Sequence, residues 1–321
     1  QTGTFAYDSS YQTSCTTALP AELISGSSYN LEWSRAYSLS NSDVLGAMSV
    51  KVDSGGELVA PSYLTVQGDG VALKVAGTLT GVSHLTVGNG GEVQLEGTGN
   101  TYGASTGAFS FTHLTVSGVD TGGTPNAVLN VLDGVTVTAT TVDITSGSLK
   151  PQGAVEFVAS TFTLASGGTV DGDGRSHASG GQGSGLKSGT TAYQSGGSHG
   201  GFDGPDDSTH RGTIYGVVKQ PITAGSGGYR TYGGAAIKVD ATTISLSGTI
   251  TMDGSEAIST GNNDKSGGGS GGSVWLKAAT LQGSGATISA EGGKGRVANG
   301  GNGGGGGRVA LTCTTSTYTD T

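Results

Sequence analysis

Three copies of one short motif constrain this chain more than anything else in it: YLTVQG at Tyr63–Gly68, HLTVG at His84–Gly88 and HLTVSG at His113–Gly118. Self-similarity at a period of roughly 20 residues marks a solenoid, in which each repeat is one supersecondary unit stacked on the next. A finer period runs inside each repeat: two apolar residues at i and i+2, then a turn. The first inward position falls at Leu64, Leu73, Leu79, Leu85 and Val93, and further on at Leu129, Val135, Val142, Leu149, Val155, Phe162 and Val170. Alternation of this kind gives a strand with one buried face, and Gly, Ser, Asn or Asp at the joints supplies the turns. Three such strands in about 20 residues suit a triangular coil. The expected fold is therefore all-β: a right-handed parallel β-helix, a three-sheet solenoid with long Gly-rich loop insertions. Glycine is too frequent for helices. A β-sandwich would space its strands about 8–12 residues apart in antiparallel hairpins, and the steps here are tighter.

Composition narrows the function classes. Glycine supplies 63 of 321 residues, roughly three times its usual share. Hydrophobic residues make up 33% and charged residues 12%. Disorder would fit those fractions, but proline is scarce at 6 residues and β-branched runs recur throughout. The net charge of -9 comes with scattered lysines and arginines and no basic stripe, which argues against nucleic acid or an anionic membrane as partner. No run of about 18 apolar residues is present, so no helical membrane span is expected. The chain opens at Gln1 without a charged or apolar leader, which reads as a processed secretory chain or a piece of a longer one.

Along the chain, residues 1–50 have irregular spacing and most of the aromatic variety, and read as a cap or docking segment. Residues 51–171 read as regular β-solenoid, 172–235 as a large Gly-rich insertion, 236–311 as β-solenoid with Gly-rich insertions, and 312–321 as a Thr-rich tail. In the second half GAAIKVDATTISLSGTITMDG aligns with GSVWLKAATLQGSGATISAEG, and a last strand is expected at Arg308–Leu311. The run SGGGSGGSVWLKAATLQGSGATISAEGGKGRVANGGNGGGGGRVAL (Ser266–Leu311), with TVDGDG at Thr169–Gly174 and YGGAAIKV at Tyr232–Val239, resembles a Gly-rich β-helix module of very large extracellular structural proteins. Proteins of tubular flagellar hairs (mastigonemes) belong to that group. The resemblance covers about Gly167–Leu311 and implies an extracellular structural role without catalysis. The glycine excursions themselves have two readings, flexible surface loops or extended, polyproline-II-like chains packed backbone against backbone.

Parallel solenoids also host polysaccharide lyases and hydrolases, so the acids were weighed. Asp171 and Asp173 lie in VDGDGR; Asp203, Asp206 and Asp207 lie in FDGPDDS, with His177, His199 and His210 in the same stretch. Glycoside hydrolysis needs two carboxylates at a set separation, and these acids do not read as recurring on one face of consecutive turns. They are expected to solvate a long loop. Asp171 and Asp173 are weak candidates for a cation, because DGDG lacks the remaining ligands of a calcium loop. GGGSGGS is not followed by the GKS or GKT of a phosphate loop. No cofactor is expected. Tyr193, Tyr215, Tyr229 and Tyr232 cluster in the insertion as candidate glycan or assembly contacts.

Two cysteines, Cys15 and Cys313, stand near opposite ends of the sequence. In a secreted protein they are expected to be bridged, either within one chain through a segment that folds back or from one copy to the next. The raw ends of a solenoid must be capped or used, and a head-to-tail contact makes filaments. The expected function is a structural, non-enzymatic, secreted subunit of an extracellular fibre, flagellar hair or surface coat. Its partners are then copies of itself in a head-to-tail homopolymer, or related fibre proteins. Serine- and threonine-rich ends are candidate carriers of O-glycans. The alternatives are a carbohydrate-binding or adhesin module and, third, a polysaccharide lyase or hydrolase.

Overall fold

A computed structural model of the chain describes residues 3–4, 29–33, 37–38, 43–45, 48–60, 62–97, 107–118, 127–176, 181–184, 195–202, 212–257, 266–296 and 301–319. All regular structure among them is strand, and every pairing with a defined register is parallel. The fold is thus all-β and solenoid-like. Two units divide the chain: Gln1–Lys150 with Phe157–Thr169 and Ala241–Gly248, and Pro151–Glu156 with Val170–Asp240 and Thr249–Thr321.

In the first unit the repeated motif sets the register. Tyr63–Val66, His84–Val87 and the second half of Gly107–Ser117 lie side by side, so Leu64, Leu85 and Leu114 form one column and Val66, Val87 and Val116 the next. Val142 and Ile144, in the strand Val135–Pro151, extend both columns. None of these eight side chains is more than 2% exposed. A second set, Met48–Val52, Ala72–Val75, Glu92–Leu95 and Val128–Val131, stacks Val50 on Leu73, Val93 and Leu129, and Val52 on Val75, Leu95 and Val131. The third set is short: Tyr37–Ser38, Glu57–Val59 and Thr78–Thr80. Later, Gly107–Phe111 runs against Val135–Ala139 and places Phe109 beside Val137.

Period-two alternation drives this arrangement, because each inward aliphatic side chain contributes about 1.5–3 kcal/mol on burial. Backbone groups pair along the stack at a spacing of about 4.8 Å. Where the chain turns from the first set to the second, Gly90 sits at φ 72°, and a Cβ there would lie 2.4 Å from Asp69 Oδ1. Only glycine meets both demands.

The parallel ladder also reaches into the stretch read as a cap. Tyr29–Trp33 pairs with Met48–Val52, Asp43–Leu45 with Tyr63–Val66, and Gly3–Thr4 with Tyr29–Trp33. Uneven connections hide these strands from a search for periodicity.

The second unit combines strands with extended glycine segments. Thr249–Thr251 pairs with Thr287–Ser289, and Ser273–Gly283 with Arg308–Ser316. The final strand runs to Ser316 rather than stopping at Leu311, because its partner Ser273–Gly283 continues far enough to pair Thr280 with Thr315 and Leu281 with Ser316. Ile237, Val239, Ile250, Met252, Val274 and Leu276 form its aliphatic core, each at most 1% exposed.

Where they are described, the glycine excursions are packed, not splayed. Residues 266–272 run through the middle of a closed ring of six other extended segments among the described residues. The Gly268 carbonyl accepts from Gly197 N–H, Gly269 N–H donates to Ser255, Ser270 N–H donates to Ser226, and the Ser270 carbonyl accepts from Gly234. Gly293 N–H reaches Gly269, and Gly271 N–H reaches Gly305, each bond between 2.8 and 3.0 Å. Neighbours around the ring are bonded to one another as well, through Gly225–Gly234, Ser255–Tyr232, Gly254–Glu291, Gly304–Gly293 and Gly305–Gly197. None of the glycines in these segments has a positive φ. This is lateral, polyproline-II-like packing, and it answers the backbone donors and acceptors that an apolar loop core would leave orphaned.

Candidate functional site

Of the acids singled out in the sequence, Asp171 and Asp173 belong to the framework. Asp171 ends the strand Ala154–Asp171, and its Oδ1 accepts the Asp173 N–H at 3.2 Å. Asp173 Oδ1 accepts the Asp253 N–H at 2.7 Å; Asp253 Oδ1 in turn accepts the Glu291 N–H at 2.5 Å and the Ser289 hydroxyl at 2.6 Å. The backbone bonds Gly172–Thr251, Gly174–Asp253, Met252–Ser289 and Gly254–Glu291 place Asp173, Asp253 and Glu291 at equivalent positions of successive turns. Asp173 thus stacks with two acids outside the candidate set, Asp253 and Glu291, at one position of successive turns. Each of the two aspartates caps the next turn. Burial raises the Asp173 carboxyl above its ordinary value, the Asp253 amide and the Thr251 hydroxyl pull it back, and the charges of Asp253 and Asp171 add to the rise. No group of three or more His, Cys, Asp or Glu among the described residues is arranged to hold a metal ion.

His199, in the second unit, is a titratable side chain with no exposure. Its Nδ1 lies 2.8 Å from the Gly271 carbonyl and must donate to it. Its Nε2 then accepts from the Thr223 hydroxyl at 3.0 Å. The ring lies against Tyr215 at 4.7 Å, and Arg308 Nη2 donates to the carbonyls of Tyr215 at 2.6 Å and of His199 at 3.4 Å. Burial, followed by the Arg308 charge, holds the imidazole below its ordinary value against the pull of the Gly271 and Gly272 backbone. Tyr215 turns its hydroxyl inward, 2.6 Å from the Ala224 carbonyl and 2.8 Å from Ser226 Oγ. Burial pushes that phenol up to about 12. Arg308 opens the last strand, so this cluster anchors the strand to the glycine ring.

The other tyrosines are placed differently. The Tyr229 ring lies under Arg230 at 5.2 Å, and Tyr232 is 46% exposed with its backbone bonded to Ser255. Tyr193 lies outside the described residues, as do His177, His210, Asp203, Asp206, Asp207 and Cys15.

The strand Arg308–Ser316 carries the feature with the clearest consequence. Its Val309 and Leu311 stand in register with Val274 and Leu276 of the preceding turn. The earlier pair is 0% and 1% exposed, whereas Val309 and Leu311 are 46% and 52% exposed. Cys313, in register with Ala278, is also exposed, and residues 312–317 present a run of exposed hydroxyls. Nothing in the sequence pattern distinguishes this strand from its covered predecessor; only the stacking does. Among the described residues no helix is long and apolar enough to cross a membrane.

Compared with protein-family models, with curated proteins and with solved structures, the chain finds no match.

Proposed function

We propose that the chain is a secreted structural subunit of an extracellular fibre, flagellar hair or surface coat, built as a right-handed, three-sheet parallel β-helix and joined end to end with copies of itself or related fibre proteins. The single observation that carries this reading is the uncovered aliphatic pair on the strand Arg308–Ser316. An aliphatic pair that is buried one turn earlier is uncovered at Val309 and Leu311, and a parallel strand supplied by another molecule would extend both the column and the ladder. Such a head-to-tail contact does not close on itself and so grows a filament. The right hand follows from the near-universal handedness of parallel crossovers. The glycine-rich motif residues from Ser266 to Leu311 support an extracellular setting by their resemblance to the structural module, and the exposed hydroxyls of residues 312–317 suit attached O-glycans.

Negative-stain electron microscopy and light scattering over a concentration series test the assembly. Concentration-dependent filaments are expected, and Val309→Lys or Leu311→Lys, each placing a charge in the open column, abolishes them while leaving circular dichroism unchanged. A wild-type chain that stays monomeric at every concentration, or filaments indifferent to both lysines, would overturn the reading.

A further inference from the structure

One face of the first unit carries side chains that neither the fold nor the assembly reading uses. Tyr63, His84 and His113 open the three copies of the motif, and the register places each directly beside the next. Their rings stack in one outward column: Tyr63 on His84 at 4.1 Å and 19°, His84 on His113 at 4.6 Å and 24°. Tyr63 is 60% exposed, and both imidazoles are partly exposed.

A hydroxyl chain holds one side of the His84 ring. Ser83 Oγ lies 3.1 Å from the Ser62 carbonyl and 2.8 Å from His84 Nδ1, so it holds the imidazole through Nδ1. Ser62 Oγ contacts Ser83 Oγ and continues the chain. In the tautomer where Nδ1 donates to Ser83 Oγ, the lone pair of His84 is on Nε2, the nitrogen that a second partner held through Nδ1 prepares for metal ligation.

We propose that His84 and His113 together chelate a late-transition divalent cation, such as Cu²⁺ or Zn²⁺, through their Nε2 atoms, with water in the remaining positions. Two metal–nitrogen bonds of about 2.0–2.1 Å hold their nitrogens about 3 Å apart. The rings stack with centroids 4.6 Å apart and planes inclined by 24°, so both must rotate out of the stack for their Nε2 lone pairs to meet at one ion, a rotamer change open to two surface side chains. Imidazole suits Cu²⁺, Zn²⁺ and Ni²⁺, and copper binds most tightly. A site without carboxylates does not serve Ca²⁺ or Mg²⁺, which demand oxygen ligands. The inference stands apart from the fibre reading, since the column does not lie on the strand Arg308–Ser316.

Calorimetric titration of the metal-stripped full chain with CuCl₂ and with ZnCl₂ decides it. One strong equivalent is expected, undisturbed by excess Ca²⁺ or Mg²⁺, with two nitrogen ligands in the copper electron-spin spectrum. His84→Asn and His113→Asn each weaken binding about tenfold or more, and Ser83→Ala, which frees the supporting nitrogen, weakens it about tenfold. The double variant His177→Asn/His210→Asn keeps wild-type affinity. Absence of the strong equivalent, wild-type affinity in either His84→Asn or His113→Asn, or loss of affinity in the His177/His210 variant marks an adventitious ion only and removes the proposal.

Discussion

Adding one methyl group at Gly269 should dismantle the glycine ring, and the same change at Gly306 should not. Gly269 lies in the central segment. A Cβ built on it falls 1.8 Å from the Tyr232 carbonyl oxygen and 2.6 Å from its carbon, where no real Cβ sits. Relief requires the backbone of Tyr232–Gly233 or of Gly269 itself to move by more than 1 Å, and both are tied. Gly269 N–H donates to Ser255, its carbonyl accepts from Gly293, Ser255 N–H donates to Tyr232, and Gly234 N–H donates to Ser270. Breaking two of these leaves buried amide groups unsatisfied at about 1–3 kcal/mol each, on top of about 1–3 kcal/mol of overpacking strain. A total of about 3–9 kcal/mol is comparable with the whole stability of a domain. In a unit of this size each kcal/mol moves the melting point by about 2–4 °C, so a fall of about 10 °C or more is expected. At Gly306 nothing lies within 4 Å of the added Cβ and the φ is not positive. Alanine there should be neutral, or stabilising by about 0.4–1 kcal/mol through the unfolded chain. Calorimetric melting, with amide exchange to localise the change to residues 266–272 and their ring, reads both. If Gly269→Ala melts with the wild type, backbone packing is not what holds these segments together.

Four further outcomes follow from the same geometry. The His199 value is lowered by folding, so the unfolded chain takes up its proton first; stability is full above the ordinary 6.5 and declines as pH falls below it, an acid limb that His199→Asn should flatten in melts between pH 4 and pH 7. Tyr215 shifts the other way, from 10.0 to about 12, so the stability it contributes is intact below pH 10 and is lost towards pH 12. That loss is about 3 kcal/mol at 1.36 kcal/mol per unit, and Tyr215→Phe should remove this alkaline step. Leu85→Ala, at a site 1% exposed, should cost about 2–5 kcal/mol in denaturant titration, whereas its outward neighbour Thr86→Ala should stay within about 0.5 kcal/mol. Asp173→Asn preserves the acceptor for the Asp253 N–H and relieves a carboxylate that burial disfavours, so it should be neutral or stabilising at pH 7, while Asp173→Ala should lose about 1 kcal/mol.

What could be read in advance was whatever side-chain periodicity encodes. The aligned motif copies are register partners residue for residue, from Tyr63 through His84 to His113. The inward positions from Leu64 to Val170 are buried, apart from Leu79, which is half exposed in the short strand Thr78–Thr80. The alignment of the later segments is matched by Ile250 facing Ile288 and by the Lys277–Asp240 ion pair at 2.8 Å. Glycine carries no such signal, because a residue without a side chain marks neither an inside nor an outside. That residues 266–272 occupy the centre of the ring was therefore invisible. So was the meeting of Arg308 with Tyr215 and His199, 93 and 109 residues away in sequence. The acid column was hidden for the same reason, with 80 residues between Asp173 and Asp253 and 38 between Asp253 and Glu291.

Two kinds of cohesion thus coexist in one chain, and they explain a composition that looks too poor in apolar residues to fold. The stacked strands need few aliphatic side chains, because each column serves the turns on both sides of it. The glycine ring dispenses with side chains altogether. Hydrogen-bonded backbones approach so closely that a Cβ at Gly272 would lie 1.8 Å from the Ala235 oxygen, and one at Gly254 1.9 Å from the Gly269 oxygen. Ordering each glycine carries an entropic penalty of about 0.5–1 kcal/mol relative to alanine, so the ring depends on the buried hydroxyls of Ser226 and Ser270 that tie its segments together. It depends equally on the aliphatic turn around Ile237, Met252 and Val274 that it adjoins in sequence. His199 and Tyr215 have both polar ends committed inside this ring. Among the described residues, the side chains left open to a partner include His84 and His113 on a strand face and Val309 and Leu311 on the strand Arg308–Ser316.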